Sequence, residues 1–579
     1  MSKKIIIIWV AALVLSLLLT FCLFAKRSSN STAQFPLIFQ TNIKISGAVV
    51  PHHNIVARER SEFFTKLASE IKAPQTIILL SPNHYSAGRA KIQTTDQDWR
   101  LAAGQISADQ TVISDLIADK LVTIEKASFS DEHGIYNILA DIHNNFPEAK
   151  LVPLIFKPNS LAELTKLKDS LKKSCPDCLM IASVDFSHYQ PALLADLHDD
   201  LSIRHLQDLN SEELLTQVEV DSGPSLALLS LWAQDQGTLN FNLQNHTNSG
   251  VLSNSPDIES TTHIFGWYQV GEQVEPEKSL SFTIGGDMMF ARSIHERFNP
   301  KFNDAFAQFG ERVFWGTDAA VINLEGSITT KPLADKAQVN SFDFEFSPKI
   351  VSTLSWLHIN GASSANNHAD NAGPEGVSTT KALLKAAKIQ SFGAATDRGV
   401  SDIAYFQGQG LTLAVIGINL TFPGQEPEIL LPIITKLQQD SSLRILIMPH
   451  WGTEYAAKHN QWQASAARAW IDAGADLVIG AHPHVVQDTE LYQGVPIFYS
   501  LGNFLFDQAF SPEVQRGLLV SGKFTASGLS FFALPTQSIK YQPQLVRGVA
   551  KQKILTSLYQ PFKDYLTQTP AGSIVRINK

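Results

Sequence analysis

The sequence predicts two α/β domains in succession, placed behind a single apolar segment at the N-terminus. The chain has 579 residues, which is more than one ordinary hydrophobic core holds. Short β-branched runs alternate with helical stretches in both halves, and a polar stretch separates the halves. Hydrophobic residues make up 44% and charged residues 17%, which is the composition of a folded protein.

We divide the chain into six segments on these grounds. They are a signal anchor or transmembrane helix at 1–27, a polar tether at 28–42, a first α/β domain at 43–270, a linker at 271–278, a second α/β domain at 279–525, and a C-terminal extension at 526–579.

The N-terminal segment is an uncharged apolar run with basic flanks. It extends from Ile5 to Ala25, and Lys26-Arg27 closes it. Twenty-one helical residues span about 30 Å, the thickness of the bilayer core. A cleavable signal peptide has a shorter apolar segment and a small-residue exit, so we favour an uncleaved anchor over a cleaved signal peptide. We expect both domains to lie outside the cytoplasm, attached to the cell membrane by this single pass.

Charge and cysteine content exclude two classes of protein. The formal net charge is −9, without the basic surplus of a nucleic-acid binder. Three cysteines are too few for a disulfide-built scaffold. Cys175 and Cys178 form one isolated C-x-x-C, which favours a local disulfide or two free thiols over a metal site.

The elements of the first half alternate as an α/β fold requires. Four apolar runs predict buried parallel strands, at Ile43–Val50, Thr76–Ser81, Leu151–Phe156 and Leu179–Val184. Four stretches predict helices, near 57–72, 134–145, 160–173 and 222–234.

The alternation starts again in the second half. Its predicted strands are Leu280–Gly285, Ala319–Asn323, Leu411–Ile418, Arg444–Met448, Leu477–Ile479 and Ile497–Ser500. The tail after about 525 is less regular, and we expect additional edge strands there.

Polar residues follow the predicted strands of the second half, where ligands bind in α/β folds. Carboxylate, amide and imidazole side chains gathered from several strand ends can hold one or two divalent metals. A single strand-end histidine such as His450 is more often an ordinary polar residue. His482 and His484 are a stronger signal, because alternate residues point the same way.

These residues also carry a family resemblance. The motifs are Gly286-Asp-Met-Met-Phe-Ala-Arg292, Asn323-Leu-Glu325, Ala365-Asn-Asn-His368, Pro449-His-Trp-Gly-Thr-Glu454, Gly480-Ala-His-Pro-His484 and Ser500-Leu-Gly-Asn503. In this order, over about 279–525, they resemble the CapA family of poly-gamma-glutamate capsule synthesis proteins, which have a calcineurin-like metallophosphoesterase fold. The resemblance implies a membrane-attached, outward-facing protein linked to a capsule or cell-envelope polymer.

The motif matches also imply a set of site residues. The implied metal ligands are Asp287, Glu325, Asn367, His450, His482 and His484. We predict His368, His450 and Arg292 as catalytic residues. Two positions depart from the wider phosphoesterase pattern: Met289 stands where that pattern has histidine, and Asn323-Leu-Glu325 where it usually offers an aspartate.

The first half has four motifs of its own, and they leave two chemistries open. The motifs are Pro51-His52-His53, Ser81-Pro-Asn-His84-Tyr, Asp131-Glu-His133-Gly and Val184-Asp-Phe-Ser-His188-Tyr. Histidines with carboxylates nearby can form a facial site for non-haem iron or copper, or an acid–base pair around an acyl substrate. Asp131 and Glu132 have a second explanation as helix caps. His143 and His205 fall on predicted helix surfaces.

The same motifs, over about 43–270, resemble the Memo-like family, called AmmeMemoRadiSam system protein B in prokaryotes. Its fold resembles that of the class III extradiol dioxygenases. The resemblance implies that His52, His84 and His188 line a metal site, with Asp185, Glu132 and His133 beside it as substrate-binding residues. Ser222-Gly223 stands where relatives have Cys-Gly, and a hydroxyl is a poor ligand for copper(I).

Three functions remain open at this point. The first is membrane-anchored biosynthesis of an envelope polymer with a hydrolase-like or phosphoesterase-like site that uses manganese, zinc or iron. The second is a polymer-binding or assembly factor without turnover, and the third is metal-dependent redox chemistry in the first domain. The expected partners are the membrane, an envelope polymer or a phosphorylated or acyl substrate, and capsule synthesis or export machinery. Because the chain is acidic, an anionic polymer would need a metal or a basic groove, for which Arg292 and Lys331–Lys336 are the nearest candidates.

Overall fold

The structure is a computed structural model that describes residues 43–331, 342–395, 402–422 and 424–578. The predicted signal anchor and tether lie outside these residues, and so do residues 332–336 of the Lys331–Lys336 stretch. Among the described residues, no helix combines the length and the apolar character needed to cross a membrane.

The first domain is built on a mainly parallel sheet. Its described strands are β1 (Ile45–Val50), β2 (Thr76–Pro82), β3 (Ile92–Thr94), β4 (Trp99–Leu101), β5 (Gly104–Ile106), β6 (Thr123–Ile124), β7 (Lys150–Phe156), β8 (Leu179–Ser183), β9 (His188–Gln190), β10 (Asn240–Asn248) and β11 (Ser260–Gln269). Nine of these described strands form one sheet in the order β10-β11-β1-β8-β2-β7-β3-β6, with β9 paired to β11. The four predicted strands are its centre, where β1, β8, β2 and β7 run parallel.

Helices cover this sheet, which explains why its central strands are apolar on both faces. They are α1 (Ala57–Glu70), α2 (Gln110–Ala118), α3 (His133–Asn145), α4 (Leu161–Ser174), α5 (Ala192–Gln207), α6 (Ser211–Thr216), α7 (Gly223–Gln236) and α8 (Ser249–Leu252). The predicted helices correspond to α1, α3, α4 and α7. A disulfide joins Cys175 and Cys178 just beyond α4.

The second domain contains two larger sheets. Its described strands are β12 (Ser279–Met288), β13 (Ala319–Leu324), β14 (Ser327–Ile328), β15 (Glu345–Phe346), β16 (Gly361–Ser363), β17 (Gln390–Phe392), β18 (Ile403–Gln407), β19 (Thr412–Asn419), β20 (Leu443–His450), β21 (Leu477–Ile479), β22 (Thr489–Tyr492), β23 (Val495–Phe498), β24 (Asn503–Leu505), β25 (Arg516–Thr525), β26 (Gly528–Ile539), β27 (Gln542–Leu545), β28 (Leu566–Thr569) and β29 (Gly572–Asn578). Its described helices are α9 (Arg292–Phe298), α10 (Ile350–Trp356), α11 (Gly373–Ala386), α12 (Leu431–Leu437), α13 (Gln461–Asp472) and α14 (Gly548–Leu558).

Within the described residues, ten strands form one sheet along the order β17-β16-β13-β12-β25-β26-β29-β28, with β24 on β12 and β27 on β26. Six others form a second sheet in the order β18-β19-β20-β21-β23-β22. Leu280 and Phe282 of the first sheet and Leu413 and Leu446 of the second belong to one buried cluster, so the two sheets pack against each other.

The C-terminal tail is a larger part of the fold than its sequence predicts. Instead of adding only edge strands, it pairs β26 along β25 from Leu529 to Gln537 and then adds β29 and β28. The β25–β26 hairpin turns just after Thr525, so the ten-stranded sheet continues directly into the tail.

The two domains share buried surface. Leu193, Leu194 and Leu197 of α5 belong to the same buried cluster as Phe290 and Phe306 of the second domain. α5 is therefore a first-domain helix that packs into the core of the second.

Candidate metal centres

The second-domain centre is assembled by strand register. Asp287 at the end of β12 lies opposite Asn323 on β13 and opposite Asn503 on β24. The Asn323 amide donates to Asp287 Oδ1 at 2.8 Å and to Glu325 Oε2 at 3.3 Å. The parallel strands thus bring two carboxylates to the same edge and hold them with one amide.

Three histidines approach these carboxylates from the other sheet. His484 Nδ1 lies 3.3 Å from Asp287 Oδ2, and His484 Nε2 lies 3.6 Å from Glu325 Oε1. One ligand atom each from Asp287, Glu325 and His450 lie within 4.8 Å of one another. The His482 ring centroid lies 4.7 Å from that of His450. His482 and His484 have φ of 97° and 57°, so the loop holds both in left-handed conformations that cost energy for such residues.

Burial sets the charges in this centre. Asp287 and Glu325 are fully buried, and Asp287 Oδ2 and Glu325 Oε1 have no hydrogen-bond partner. Burial and the adjacent Asp287 raise the pKa of Glu325 well above its usual value. Burial opposes a charge on His484, but Glu325 and Asp287 outweigh it and raise its pKa to about 9.

The other two imidazoles, those of His450 and His482, are neutral and so can bind a metal. Burial and the neighbouring His482 lower the pKa of His450 well below its usual value. Burial and His484 lower the pKa of His482 to about 4. Buried carboxylate oxygens that accept no hydrogen bond, gathered with imidazoles, fit a divalent cation, which would compensate their charge.

The first-domain centre also forms where parallel strands end. Val50 of β1 lies opposite Ser183 of β8, so His52 and Asp185 emerge side by side. His52 Nε2 lies 3.2 Å from Asp185 Oδ2 and 3.3 Å from Asp221 Oδ2. The other His52 ring nitrogen, Nδ1, lies 3.3 Å from the Ser183 hydroxyl, which fixes the ring orientation.

His84 and His133 complete the cluster. Their rings stack with centroids 3.8 Å apart, and ligand atoms of His52, His84 and His133 lie within 4.8 Å of one another. Glu132 Oε1 lies 2.5 Å from His84 Nδ1 and also accepts from the Gly134 amide at 3.1 Å, which makes it the N-cap of α3. Glu132 is therefore a helix cap that also contacts His84, and its role in substrate binding stays a prediction.

As in the second-domain centre, one histidine of this centre has a raised pKa and the others have lowered pKa values. Burial lowers the pKa of His52, and burial together with His84 lowers that of His133 to about 4. Burial opposes a charge on His84, but Asp221 and Glu132 raise its pKa to about 9. Burial and Asp221 raise the pKa of Asp185 to about 7. Three imidazoles and two carboxylates suit iron, zinc or manganese better than copper(I).

Comparison with known proteins matches each half separately. The profile of the bacterial capsule synthesis protein PGA_cap covers residues 281–508, and that of the Memo-like protein covers 25–257. The PGA biosynthesis protein CapA of Bacillus subtilis (strain 168) is 31% identical over 284 residues, which are 46% of this chain and 74% of that protein. The chain belongs to the CapA family.

The first half has relatives of its own. A MEMO1 family protein of Nitrosopumilus maritimus (strain SCM1) is 22% identical over 220 residues, which are 36% of this chain and 80% of that protein. Among solved structures, the purple acid phosphatase PPD1 of yellow lupin aligns over 50% of this chain and 61% of its own, with 9% identity and a TM-score of 0.25. That TM-score is too low to carry an argument. The chain is thus a Memo-like domain followed by a CapA-like domain.

In the CapA-like domain, the neighbouring Asn366 and Asn367 have different contacts. Asn367 Oδ1 lies 2.7 Å from His450 Nε2, whereas Asn366 donates to Asn323 Oδ1 and the Leu324 carbonyl. Asn367 thus contacts a predicted ligand, and Asn366 braces the strand beside it.

His368 and Arg292 lie at the edge of the carboxylate–histidine cluster and contact the aromatic rings there. His368 stacks on Phe344 at 3.9 Å, and the Arg292 guanidinium lies 4.8 Å from the same ring. Arg292 also forms an ion pair with Asp507, a residue that the sequence analysis missed. Asp507 follows a predicted strand end by several residues, and no motif marks it.

The Memo-like domain contains one ligand candidate that the sequence analysis missed. Asp221 contacts His52 and lies 3.7 Å from His84 Nε2. Its signal was its position just before Ser222-Gly223, and Ser222 proves to be the N-cap of α7. His188, one of three histidines implied by the resemblance, is not in the three-histidine cluster, where His133 stands instead. Burial lowers the pKa of His188 although Asp221 and Asp185 act to raise it, so His188 lies close to the same two carboxylates as His52.

Proposed function

We propose that this protein acts in the biosynthesis of a capsule or cell-envelope polymer of the poly-gamma-glutamate type. In this proposal the CapA-like domain holds a divalent metal, manganese, zinc or iron, and carries hydrolase-like or phosphoesterase-like chemistry. The observation that carries it is the buried pair Asp287 and Glu325, each with an oxygen that accepts no hydrogen bond, gathered with His450 and His484. Family membership supports the polymer, because the CapA relatives are biosynthesis proteins by name.

The protein's own residues have distinct parts in this proposal. Asp287, Glu325 and His450 would hold the ion, and Asn323 keeps the two carboxylates in position through its amide. When bound, a divalent ion polarises a phosphoryl or acyl oxygen and lowers the pKa of bound water. His484 faces both carboxylates, at 3.3 Å from Asp287 Oδ2 and 3.6 Å from Glu325 Oε1, so its ring would lie beside the bound ion as a further candidate ligand.

We further propose that the chain is a single-pass membrane protein with both domains outside the cytoplasm. The apolar run from Ile5 to Ala25 supports the anchor, and the Cys175–Cys178 disulfide is typical of an oxidising compartment. The partners in this proposal are an envelope polymer or a phosphorylated or acyl substrate, together with capsule synthesis or export machinery.

Metal analysis of the full-length protein, purified in detergent without chelators, tests the proposed centre. We expect stoichiometric metal that Asp287→Asn and Glu325→Gln each remove, because both substitutions neutralise a ligand while keeping its shape. Asp488→Asn is the matched control, since Asp488 pairs with His459 at 2.9 Å outside the centre. An unchanged metal content per chain in both variants would contradict the proposed centre. Protein that holds no metal after resupply of manganese, zinc and iron would favour a polymer-binding or assembly factor.

The Memo-like domain supports a second candidate function, metal-dependent redox chemistry. The observation in its favour is the cluster of His52, His84 and His133, with Asp185 and Asp221 beside it. In the same analysis, loss of iron in a His52→Ala, His84→Ala variant but not in Asp287→Asn would move the chemistry to this domain. His143→Ala is the control, because His143 contacts only the Ala103 carbonyl among the hydrogen bonds of the described residues.

A further inference from the structure

Two side chains of the CapA-like domain contact a segment of the Memo-like domain that ends at a candidate metal ligand. The segment is Gln217–Asp221, between α6 and α7. The Trp315 indole N–H donates to the Gln217 carbonyl at 2.7 Å, and Arg312 Nη1 lies 3.4 Å from Glu219 Oε1. Gly316 packs against His198, and a Cβ at Gly316 would lie 2.7 Å from the His198 Cβ.

The other side of the same segment faces the Memo-like centre. Val220 bridges to Phe186, the Asp221 amide donates to the Asp185 carbonyl at 3.1 Å, and the Asp185 amide donates to Asp221 Oδ2 at 3.0 Å. These contacts align Asp221 with Asp185 so that both carboxylates reach His52.

Glu219 connects the two sides. It is fully buried, accepts from the His188 amide at 3.0 Å and lies 2.7 Å from His198 Nδ1. A fully buried carboxylate is stable only with charged or hydrogen-bonding partners. Arg312 is the partner that comes from the other domain.

Arg312 is itself held in place by aromatic rings. Its guanidinium lies 5.3 Å from the Trp315 ring, which stacks on His358 with centroids 4.3 Å apart and an interplanar angle of 4°. All three residues belong to the CapA-like domain. Gln217–Asp221 is therefore held by a packed group of side chains and not by a single flexible one.

We propose that Arg312 and Trp315 are positioning residues for the Memo-like centre: they hold Gln217–Asp221 so that Asp221 faces His52 and His84. The Memo-like site then forms completely only with the CapA-like domain in place, which gives the fusion of the two domains a structural role. This inference goes beyond the proposed polymer chemistry and does not depend on it.

The test uses the full-length protein with Glu325→Gln, which disables the proposed second centre, and two readouts. The first is titration with Co²⁺ alone, followed by its visible absorption. The second is amide hydrogen exchange of peptides that cover 217–222, without metal. The variants are Arg312→Gln, Arg312→Lys and Trp315→Phe, and Arg547→Gln is the control because Arg547 pairs with Glu259, another first-domain carboxylate, at 3.4 Å.

We expect Arg312→Gln to weaken Co²⁺ binding by about tenfold, the lower end of the range for residues that support a metal ligand. Exchange at 217–222 should accelerate in Arg312→Gln and Trp315→Phe, Arg312→Lys should recover part of both effects, and Arg547→Gln should change neither. Unchanged exchange in Arg312→Gln would overturn the positioning role even if the protein binds no Co²⁺. Faster exchange with unchanged Co²⁺ affinity would overturn the role of the segment in metal binding.

Discussion

Histidine residues in this protein have different charges because their neighbours differ. Facing carboxylates raise the pKa of His84, His246 and His484 to about 9, whereas burial beside other imidazoles lowers that of His133 and His482 to about 4. Each proposed centre thus combines one proton-bearing imidazole with neutral ones. An imidazole binds a metal only in its neutral form, so a cation held at either centre would displace the proton of His84 or His484.

His246 lies outside both centres, and the pH dependence of its contribution to stability tests whether a facing carboxylate raises a histidine pKa. His246 Nε2 lies 2.7 Å from Asp199 Oδ2, and although burial opposes the charge, this carboxylate raises the pKa of His246 to about 9. Because the folded pKa exceeds the unfolded value, the stabilisation is complete below about pH 6.5 and is lost as pH rises through about 9.

We therefore expect His246→Gln to lower the free energy of unfolding at pH 6 by about 2 kcal/mol more than at pH 9.5, after allowance for partial exposure. Urea denaturation at the two pH values measures this difference. His143→Gln is the control, since His143 lies beside a backbone carbonyl and not a carboxylate. A deficit of equal size at both pH values would be inconsistent with the proposed ion pair.

Strand β12 reaches the CapA-like centre because of a close backbone approach. A Cβ at Gly286 would lie 2.0 Å from the Gly502 carbonyl oxygen, which is backbone and cannot move aside. Asp287 is the next residue, and its amide donates to the same Gly502 carbonyl at 3.0 Å. Glycine at 286 is therefore required for Asp287 to lie where it does.

We expect Gly286→Ala to remove metal from the CapA-like centre while metal at the Memo-like centre stays. The measurement is metal content per chain, together with the melting temperature, which should fall. Gly285→Ala is a matched neighbour, because the nearest atoms to its Cβ would be side-chain atoms of Ile322, Leu519 and Phe314, at 3.2–3.3 Å. Equal metal in Gly286→Ala and Gly285→Ala would show that this approach does not position Asp287.

Helix α5 shows how an element can belong to two domains. Eleven of its sixteen residues are buried, including Asp199, Arg204 and five leucines, so it lacks the single apolar stripe of a surface helix. It packs on β10 and β11 of its own domain and against β25 of the other. Such a helix cannot expose either face, and this ties the two domains together.

At the scale of the whole molecule, buried charges join the domains. Arg204 of α5 contacts Asp318 twice, at 3.2 and 2.5 Å, and both side chains are under a tenth exposed. Asp318 also accepts from the amide and the hydroxyl of Ser281, at the start of β12. The pair therefore links the Memo-like domain to the strand that carries Asp287.

We expect Arg204→Met to lower the free energy of unfolding by about 3–5 kcal/mol, because it leaves Asp318 buried and unpaired. Adding Asp318→Asn should restore part of the loss, since the uncompensated charge is then gone. Lys523→Gln, which breaks the more exposed interdomain pair with Asp200, should cost less than about 1 kcal/mol. Equal losses of unfolding free energy for Arg204→Met and Lys523→Gln, measured by urea denaturation, would contradict a stabilising role for the buried Arg204–Asp318 pair.

Much of both centres was predictable, because their residues directly follow strands. Asp185, Asp287 and His450 each come at or just after an apolar run, so the strand positions and their parallel register place them together. Two residues that sequence reasoning missed or placed only at the edge of the site follow no predicted strand: Asp221 lies in the loop before α7, and His133 begins α3. Asp507 comes two residues after β24, a short strand that the sequence does not predict on its own.

The sequence by itself determined the order of the two domains, their α/β character, the central strands and most of the candidate ligands, since periodicity and strand-end motifs are local properties. Only the tertiary structure decided which carboxylates lack partners, which histidines carry charge, and that Arg312 and Trp315 reach across to Gln217–Asp221. Those properties depend on burial and on contacts between residues about a hundred or more positions apart in the chain. No local pattern encodes such contacts, because they exist only after both domains have packed.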